Sequence, residues 1–394
     1  MLTIKLYDEK PYDREFTAEV RAVETTEDGK SRIELERTLF FPEEGGQTSD
    51  TGFINGIRTV HVSIENGTIW HETDGPADIK TGDEVRCSID WGHRFSNMQN
   101  HTGEHILSGL LHRDWGSENV GFHLSDNIVT LDTSKALEEA DIDELERMAN
   151  EVIYMDIPVQ CRYFSPDEAA DIEYRSKKEF DEDIRIVTIP GIDVCACCAP
   201  HVARTGEIGI IRIIHAIKYK GGMRLTILSG RRALEYTRTQ HKTVETLSHM
   251  LSENPDTLPD AVMRLMKEIE GYKLEKKEAD KKRLEAAVKD ALASGSGIIF
   301  TGDTDNVTQR RTVNDLAESM NVVCAVFAGD DRKGYKYIIA CPGGDARDAA
   351  ALLKERFNAK GGGTKEMVQG SINGSESEIR MALNSYDLHA PNKL

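Results

Sequence analysis

The chain has no apolar run of membrane-spanning length, so no transmembrane helix is expected. Its N-terminus, MLTIKLYDEKPYDREF, lacks the basic, apolar and small-residue progression of a secretory signal. Cysteine is scarce and odd in number, seven in 394 residues, with three crowded into Cys195-Ala-Cys197-Cys198. That usage argues against a disulfide framework and reads as thiols and metal ligands in a reducing cytoplasm. Positive charge is short as well. Against 68 acidic residues stand 49 lysines and arginines, giving a net charge of −19. So acidic a chain repels nucleic acid at long range, and any RNA contact has to come from local basic patches. Lys218, Lys220, Arg224, Arg231 and Arg232 lie in one such segment, and Lys354, Arg356, Lys360 and Lys365 in another. By spacing alone both are ordinary solvated surface.

What is present fits a soluble globular protein, with 39% apolar and 30% charged residues. The length exceeds one ordinary core, so two or three domains are the starting expectation. The texture divides further, into four segments. Residues 1–89 read as short strands, such as Phe16–Val20, Ile33–Leu35 and Thr59–Ser63, separated by Asp-Gly, Asn-Gly and glycine-rich turns. That predicts a small β-barrel. Residues 90–240 mix helix and strand. Helices are expected over Asn97–Leu111, Glu138–Tyr154 and the acid-rich Pro166–Phe180. A strand is expected at Ile184–Ile189, and a hairpin from Gly209–Tyr219 and Met223–Ser229 across Gly221-Gly222. Residues 241–292 carry Leu258, Val262, Leu265, Ile269 and Tyr272 at three-four spacing, the mark of a long amphipathic arm of coiled-coil or helical-hairpin type. Residues 293–394 read as α/β, with Lys360-Gly-Gly-Gly-Thr-Lys-Glu-Met367 as a lysine-flanked glycine loop. The fold class expected is therefore α+β.

Two short stretches about a hundred residues apart carry the chemistry. His101-Thr-Gly-Glu-His105 and Cys197-Cys-Ala-Pro-His201 each offer two nitrogen or sulfur ligands at i and i+4. On a helix, His101 and His105 share a face. Either pair alone is ambiguous. The zinc-protease pattern needs glutamate at the second position, where Thr102 stands, and Cys195 or Cys198 could replace Cys197. Together the pairs make three imidazoles and one thiolate, the donor set of a tetrahedral zinc site. A closed four-ligand shell is usually structural, whereas a loosened one can act on a water or substrate, and spacing leaves both open. Glu104 is a candidate general base, or, as an exposed helix carboxylate beside a ligand, an outer support. Gly45 and Gly46 allow close backbone approach, and Gln47 supplies a donor and an acceptor beside them.

The runs Asp90-Trp-Gly-His-Arg-Phe-Ser-Asn-Met-Gln-Asn-His-Thr-Gly-Glu-His105, Asp193-Val-Cys-Ala-Cys-Cys-Ala-Pro-His-Val202 with Thr205-Gly-Glu-Ile-Gly209, and Phe41-Pro-Glu-Glu-Gly-Gly-Gln47 resemble the editing domain of alanyl-tRNA synthetase. More closely, they resemble the free-standing AlaX-type editing proteins. The arm with Gly361–Gly370 looks like the DHH-associated domain, so the resemblance covers nearly the whole chain and points to the long AlaX form. It implies zinc at His101, His105, Cys197 and His201, and hydrolysis of tRNA(Ala) mischarged with serine, and of the glycine-charged form as a second substrate. No charging of tRNA is expected, because no aminoacylation module precedes the barrel. Thr38 resembles the family threonine that reads the serine hydroxyl, and is otherwise a plain strand residue. Gln47 and Glu104 would assist catalysis, Gly45 and Gly46 would meet the substrate, and Gly361, Gly362 and Gly363 would contact it from the C-terminal domain, which also resembles a dimerisation element. A homodimer through that domain, tRNA(Ala) as partner, no membrane contact and a cytoplasmic location complete the expectation. The alternative is a non-catalytic tRNA-binding protein with a structural zinc. A weaker third reading is a metal hydrolase of free aminoacyl esters or amides. The chain departs from the synthetase motif at Cys198-Ala199-Pro200, where that motif has Gly-Gly-Thr, and at Glu44, where a glycine is commoner.

Overall fold

The computed structural model describes residues 2–176 and 183–386. Its class is α+β, and the chain divides into two compact units, Met1–Thr246 and Leu247–Leu394.

In the first unit, six strands pair in a closed barrel in the order Glu15–Thr25, Ser31–Leu35, Thr68–Thr73, Ile57–Glu65, Gly52–Ile54 and Glu84–Ile89. Alternation along these strands turns Val20, Ile33, Leu35, Ile54, Val62, Ile69 and Val85 into one core, closed by Phe40 and Phe41. Closure leaves no unpaired strand edge in the ring. Next comes the helix Trp91–Trp115. Asp90 caps its start by accepting the His93 N–H, and Gly116, at φ 56°, ends it. Gly116 N–H bonds to His112 O and Ser117 N–H to Leu111 O, the bonds of a left-handed helix end. From Met98 to Leu111 every residue of this helix is buried. It is therefore a central helix rather than an amphipathic surface one. One face packs on the four-stranded sheet Ile211–Tyr219, Gly222–Ser229, Val129–Thr133, Asn119–Leu124. Another meets the three-stranded sheet Gln160–Phe164, Ile184–Ile189, Asp193–Ala196. Gly109 makes that second contact close, since a Cβ there would stand 2.3 Å from Ile192 O.

The second unit holds a five-stranded sheet ordered Ile298–Thr301, Cys324–Asp330, Gly334–Ala340, Met367–Ile372, Lys360–Gly363. The helices Asn306–Ser319 and Ala346–Phe357 pack on its two faces. The segment expected as an arm, 241–292, is not one element: it holds the end of the helix Gly230–Leu251, the single turn Pro255–Thr257 and most of a helix of 37 residues, Leu258–Ser294. The C-terminal end of that last helix buries Leu284 and Ala291 against Ile299, Val313 and Leu316, while Val262, Leu265, Ile269 and Tyr272 stay exposed.

Two further local expectations are corrected. Pro166–Phe180 is not one helix. Ser165 caps a single turn, Pro166–Ala169, and the chain then extends so that Arg175 bridges to Cys195; residues 177–180 lie outside the described part. Lys360–Gly363 is not a loop but an edge strand, paired with Met367–Ile372. Its bonds are all backbone, so the missing side chains do not prevent it.

The barrel is pinned to the central helix by a charge pair with no exposure on either side. Arg94 forks onto Asp50 and also reaches Leu39 O and Pro11 O. Asp50 in turn accepts the Phe41 N–H at 2.7 Å. Removing one member of such a pair strands the other in a dry interior. Asp50→Ala is expected to destabilise the Met1–Thr246 unit by about 3–5 kcal/mol, read as a lowered urea midpoint of that unit's transition.

Candidate metal centre

His101, His105, Cys197 and His201 come together. One ligand atom from each lies within 4.8 Å of every other. The central helix supplies His101 and His105 one turn apart on one face. The loop after strand Asp193–Ala196 supplies the other two. His101 Nε2 stands 3.5 Å and His201 Nε2 3.4 Å from Cys197 Sγ. The three histidines are buried.

What aims the rings is a set of outer hydrogen bonds. His101 Nδ1 donates to Gln47 Oε1 at 2.8 Å, His105 Nδ1 to Asp193 Oδ2 at 2.8 Å, and His201 Nδ1 to Thr102 Oγ1 at 3.0 Å. Each imidazole is thereby fixed with Nε2 turned toward the thiol, the arrangement that metal-binding histidines show. The cysteine loop is clamped separately. Arg185 donates to the carbonyls of Cys197 at 2.8 Å and Ala199 at 2.9 Å.

The charges agree with a cation seat. Burial disfavours the Cys197 thiolate, yet His101 and His201 beside it outweigh burial and hold the thiol well below its ordinary range. Burial likewise opposes protonation of His105, but Asp193 and Cys197 keep its pKa well above the usual imidazole value. For His201 burial wins, and its pKa falls to about 3. Cys195 is pushed up to about 11 by burial, and burial also raises Cys198. Cys197 is thus the thiol suited to ligate. Three imidazoles and one thiol whose thiolate is favoured converge, which is the donor chemistry of a zinc ion.

The remaining sequence-selected residues fall differently. Gly45 at φ 63° and Gly46 at φ 81° carry the loop past Cys198 and Phe122. A Cβ on Gly46 would stand 2.6 Å from Phe122 O. Gln47, 1% exposed, gives its oxygen to His101 and leaves its buried Nε2 without a protein partner. Thr38 is fully buried in the barrel. His71 Nδ1 donates to Ile33 O at 2.9 Å, which leaves Nε2 to accept the Thr38 hydroxyl at 2.8 Å; Thr38 also accepts the Phe40 N–H at 3.0 Å. Glu104 is buried rather than exposed, and its carboxylate is held by Ser108 and by Asn119 at 2.7 Å. It is not one of the four clustered residues. Gly361, Gly362 and Gly363 sit on the exposed edge strand of the second unit. Sequence reasoning did not single out Thr102, Arg175, Arg185 or Asp193. Asp193 stood inside a quoted motif, but no local spacing ties it to His105.

Residues 184–226 match the threonyl and alanyl tRNA synthetase second additional domain, and residues 7–93 match the class II (A) tRNA synthetases. The chain is 28% identical over 95% of its length to alanyl-tRNA editing protein AlaX-L of Pyrococcus horikoshii, covering 96% of that protein. Over nearly its whole length the chain is similar to an AlaX-type editing protein. It is also 27% identical over 86% of its length to alanyl-tRNA editing protein Aarsd1-A of Xenopus laevis, covering 84% of it. A 31% match over 94% of the chain is to the alanine–tRNA ligase of Pyrococcus abyssi, of which the chain spans 42%. The matched second additional domain contains Cys197 and His201, Arg185, which holds the Cys197 carbonyl, and Asp193, the partner of His105.

His71 gives a pH test of the barrel around Thr38. Burial lowers its pKa from 6.5 to about 4. The folded state therefore keeps it neutral while the unfolded chain takes up a proton. Its contribution is complete above about pH 6.5 and is lost as the pH falls toward 4, by on the order of 3 kcal/mol. Equilibrium unfolding of the wild type and of His71→Gln should show the variant losing less stability across that window.

Proposed function

We propose that this chain is a zinc-dependent hydrolase that clears serine from mischarged tRNA(Ala), with glycine as a second substrate. Zinc is held by His101, His105, Cys197 and His201. The observation that carries the reading is the convergence of those four ligand atoms, with every imidazole fixed through Nδ1. The names of the relatives, alanyl-tRNA editing protein among them, support the substrate class.

An alanine pocket cannot strongly exclude a side chain that adds one hydroxyl, so a second site must sort by bonding that hydroxyl. Thr38 suits the task. Its proton is committed to His71 and one lone pair to the Phe40 N–H, so a further lone pair remains to accept from a serine hydroxyl. Alanine would leave it unpaired, a loss of about 1–3 kcal/mol. The aminoacyl ester is already activated compared with an amide, so catalysis needs positioning and oxyanion stabilisation more than a nucleophile. Gln47 offers its unpartnered buried Nε2 as a donor to the ester oxygen or to the attacking water. Glu104, tied to Ser108 and Asn119, is placed to shape the helix face between the ligands rather than to ferry protons freely. When bound, zinc supplies a Lewis-acidic centre that orients the ribose or polarises the carbonyl. The partner is tRNA(Ala), met by the arm and by the glycine strand Gly361–Gly363. The C-terminal segment is also the proposed contact of a homodimer, and the cytoplasm the proposed location.

A complete four-ligand set also favours a second reading, a tRNA-binding protein with a structural zinc. Release of serine from Ser-tRNA(Ala), measured beside Ala-tRNA(Ala), separates the two. His101→Ala and Cys197→Ala should stay folded and lose about 100-fold or more in serine release, a loss of the size set by removing one principal transition-state contact. Unchanged release in folded variants would contradict the hydrolase. A chain ending near residue 242 should keep the metal centre and lose discrimination among tRNAs, read as similar rates on Ser-tRNA(Ala) and on a serine ester of another tRNA body.

A further inference from the structure

The Asp193 carboxylate is almost wholly buried, and it does two things at once. Its Oδ2 accepts from His105 Nδ1, and both its oxygens are taken by one guanidinium. Arg175 Nε donates to Oδ1 at 2.8 Å and Nη2 to Oδ2 at 2.9 Å. A two-point fork fixes the carboxylate plane as well as its position. Arg175 is tied to the same strand through its backbone too. Its N–H donates to Val194 O at 2.8 Å, and its carbonyl accepts the Ala196 N–H at 3.0 Å. It therefore grips Asp193–Ala196 from both backbone and side chain, immediately before the loop that carries Cys197 and His201.

We propose that Arg175 is a positioning residue for the metal centre. By holding Asp193 rigid it sets the direction of His105 Nε2, and by bracing the strand it sets where the cysteine loop begins. The inference rests on the metal reading above. Arg175 is not a ligand, and it lies 18 residues from Asp193 in sequence, outside every motif that marks the site. A buried carboxylate with only His105 for a partner would be free to rotate and would carry an uncompensated charge. Losing such an outer partner typically lowers metal affinity ~10–100-fold. Lysine does not restore it, because an ammonium acts as a point charge and cannot span both oxygens in a plane.

The test uses the full chain loaded with cobalt(II) as a spectroscopic substitute. Affinity is read by chelator competition and ligand geometry by visible absorption. Circular dichroism monitors folding, and Arg175→Lys provides the comparison if Arg175→Met does not fold. Arg175→Met and Arg175→Lys are expected to bind cobalt ~10–100-fold more weakly, with altered d–d bands. In an Asp193→Asn background, Arg175→Met should add less than about twofold, because the two residues act through one contact. Unchanged affinity and spectrum in a folded Arg175 variant would overturn the proposal, as would a full additional loss in the Asp193→Asn background. A wild-type chain that takes up no cobalt would instead overturn the metal reading, and this inference with it.

Discussion

Three imidazoles must show the same nitrogen to one point, and the Met1–Thr246 unit is organised around that requirement. The acceptors that fix them come from three different places. Gln47 sits on the glycine turn beside the barrel, Asp193 on a strand of the three-stranded sheet, and Thr102 on the central helix itself. No one element could supply all three. The barrel, the helix and the small sheet must each arrive in register before the ligand set closes. Gly46 and Gly109 mark two close approaches in that convergence, because a single added methyl at either would meet a backbone carbonyl.

The same requirement explains the unusual polarity of the central helix. A helix buried on every side would ordinarily be apolar. This one buries Asn97, Asn100, His101, Thr102, Glu104, His105 and Ser108. Burial of that much polar surface is tolerable only where partners are provided. Asn100 bonds Ser96 O and the Ser229 backbone, Asn97 bonds Arg232, and Glu104 bonds Ser108 and Asn119. Gln47 Nε2 remains unpaired beside the ligands. Ser229 Oγ, against the same helix, and Glu44 Oε2 are likewise without a protein partner, and the proposed function gives the Gln47 donor to the reacting oxygen.

Much of this was legible from local spacing. The i,i+4 histidines lie on a helix face, the strand-rich start closes on itself, and the three-four spacing from Leu258 onward lies on one long helix. Glu104 is buried, not exposed as periodicity implies, because periodicity assumes one wet face and this helix has none over its middle turns. The acid-rich stretch after Ser165 carries a genuine helix start, with Ser165 and Glu168 forming a capping box, but too few apolar positions follow to bury a face, and the helix stops after one turn. Three glycines in a row suggest a loop because they offer no side chains to pack, yet an edge strand needs only backbone. Asp193 and Arg175 were beyond reach, since their roles depend on contacts 88 and 18 residues distant in the chain.

The central claim is that one zinc ion is shared by the helix and the cysteine loop. X-ray absorption at the zinc edge, on purified chain carrying one equivalent of metal, tests it most directly. A shared zinc gives a four-coordinate shell of one sulfur at about 2.3 Å and three nitrogens at about 2.0–2.1 Å, with the sulfur component gone in Cys197→Ser. A shell without sulfur, or one that is unchanged by that substitution, would contradict it.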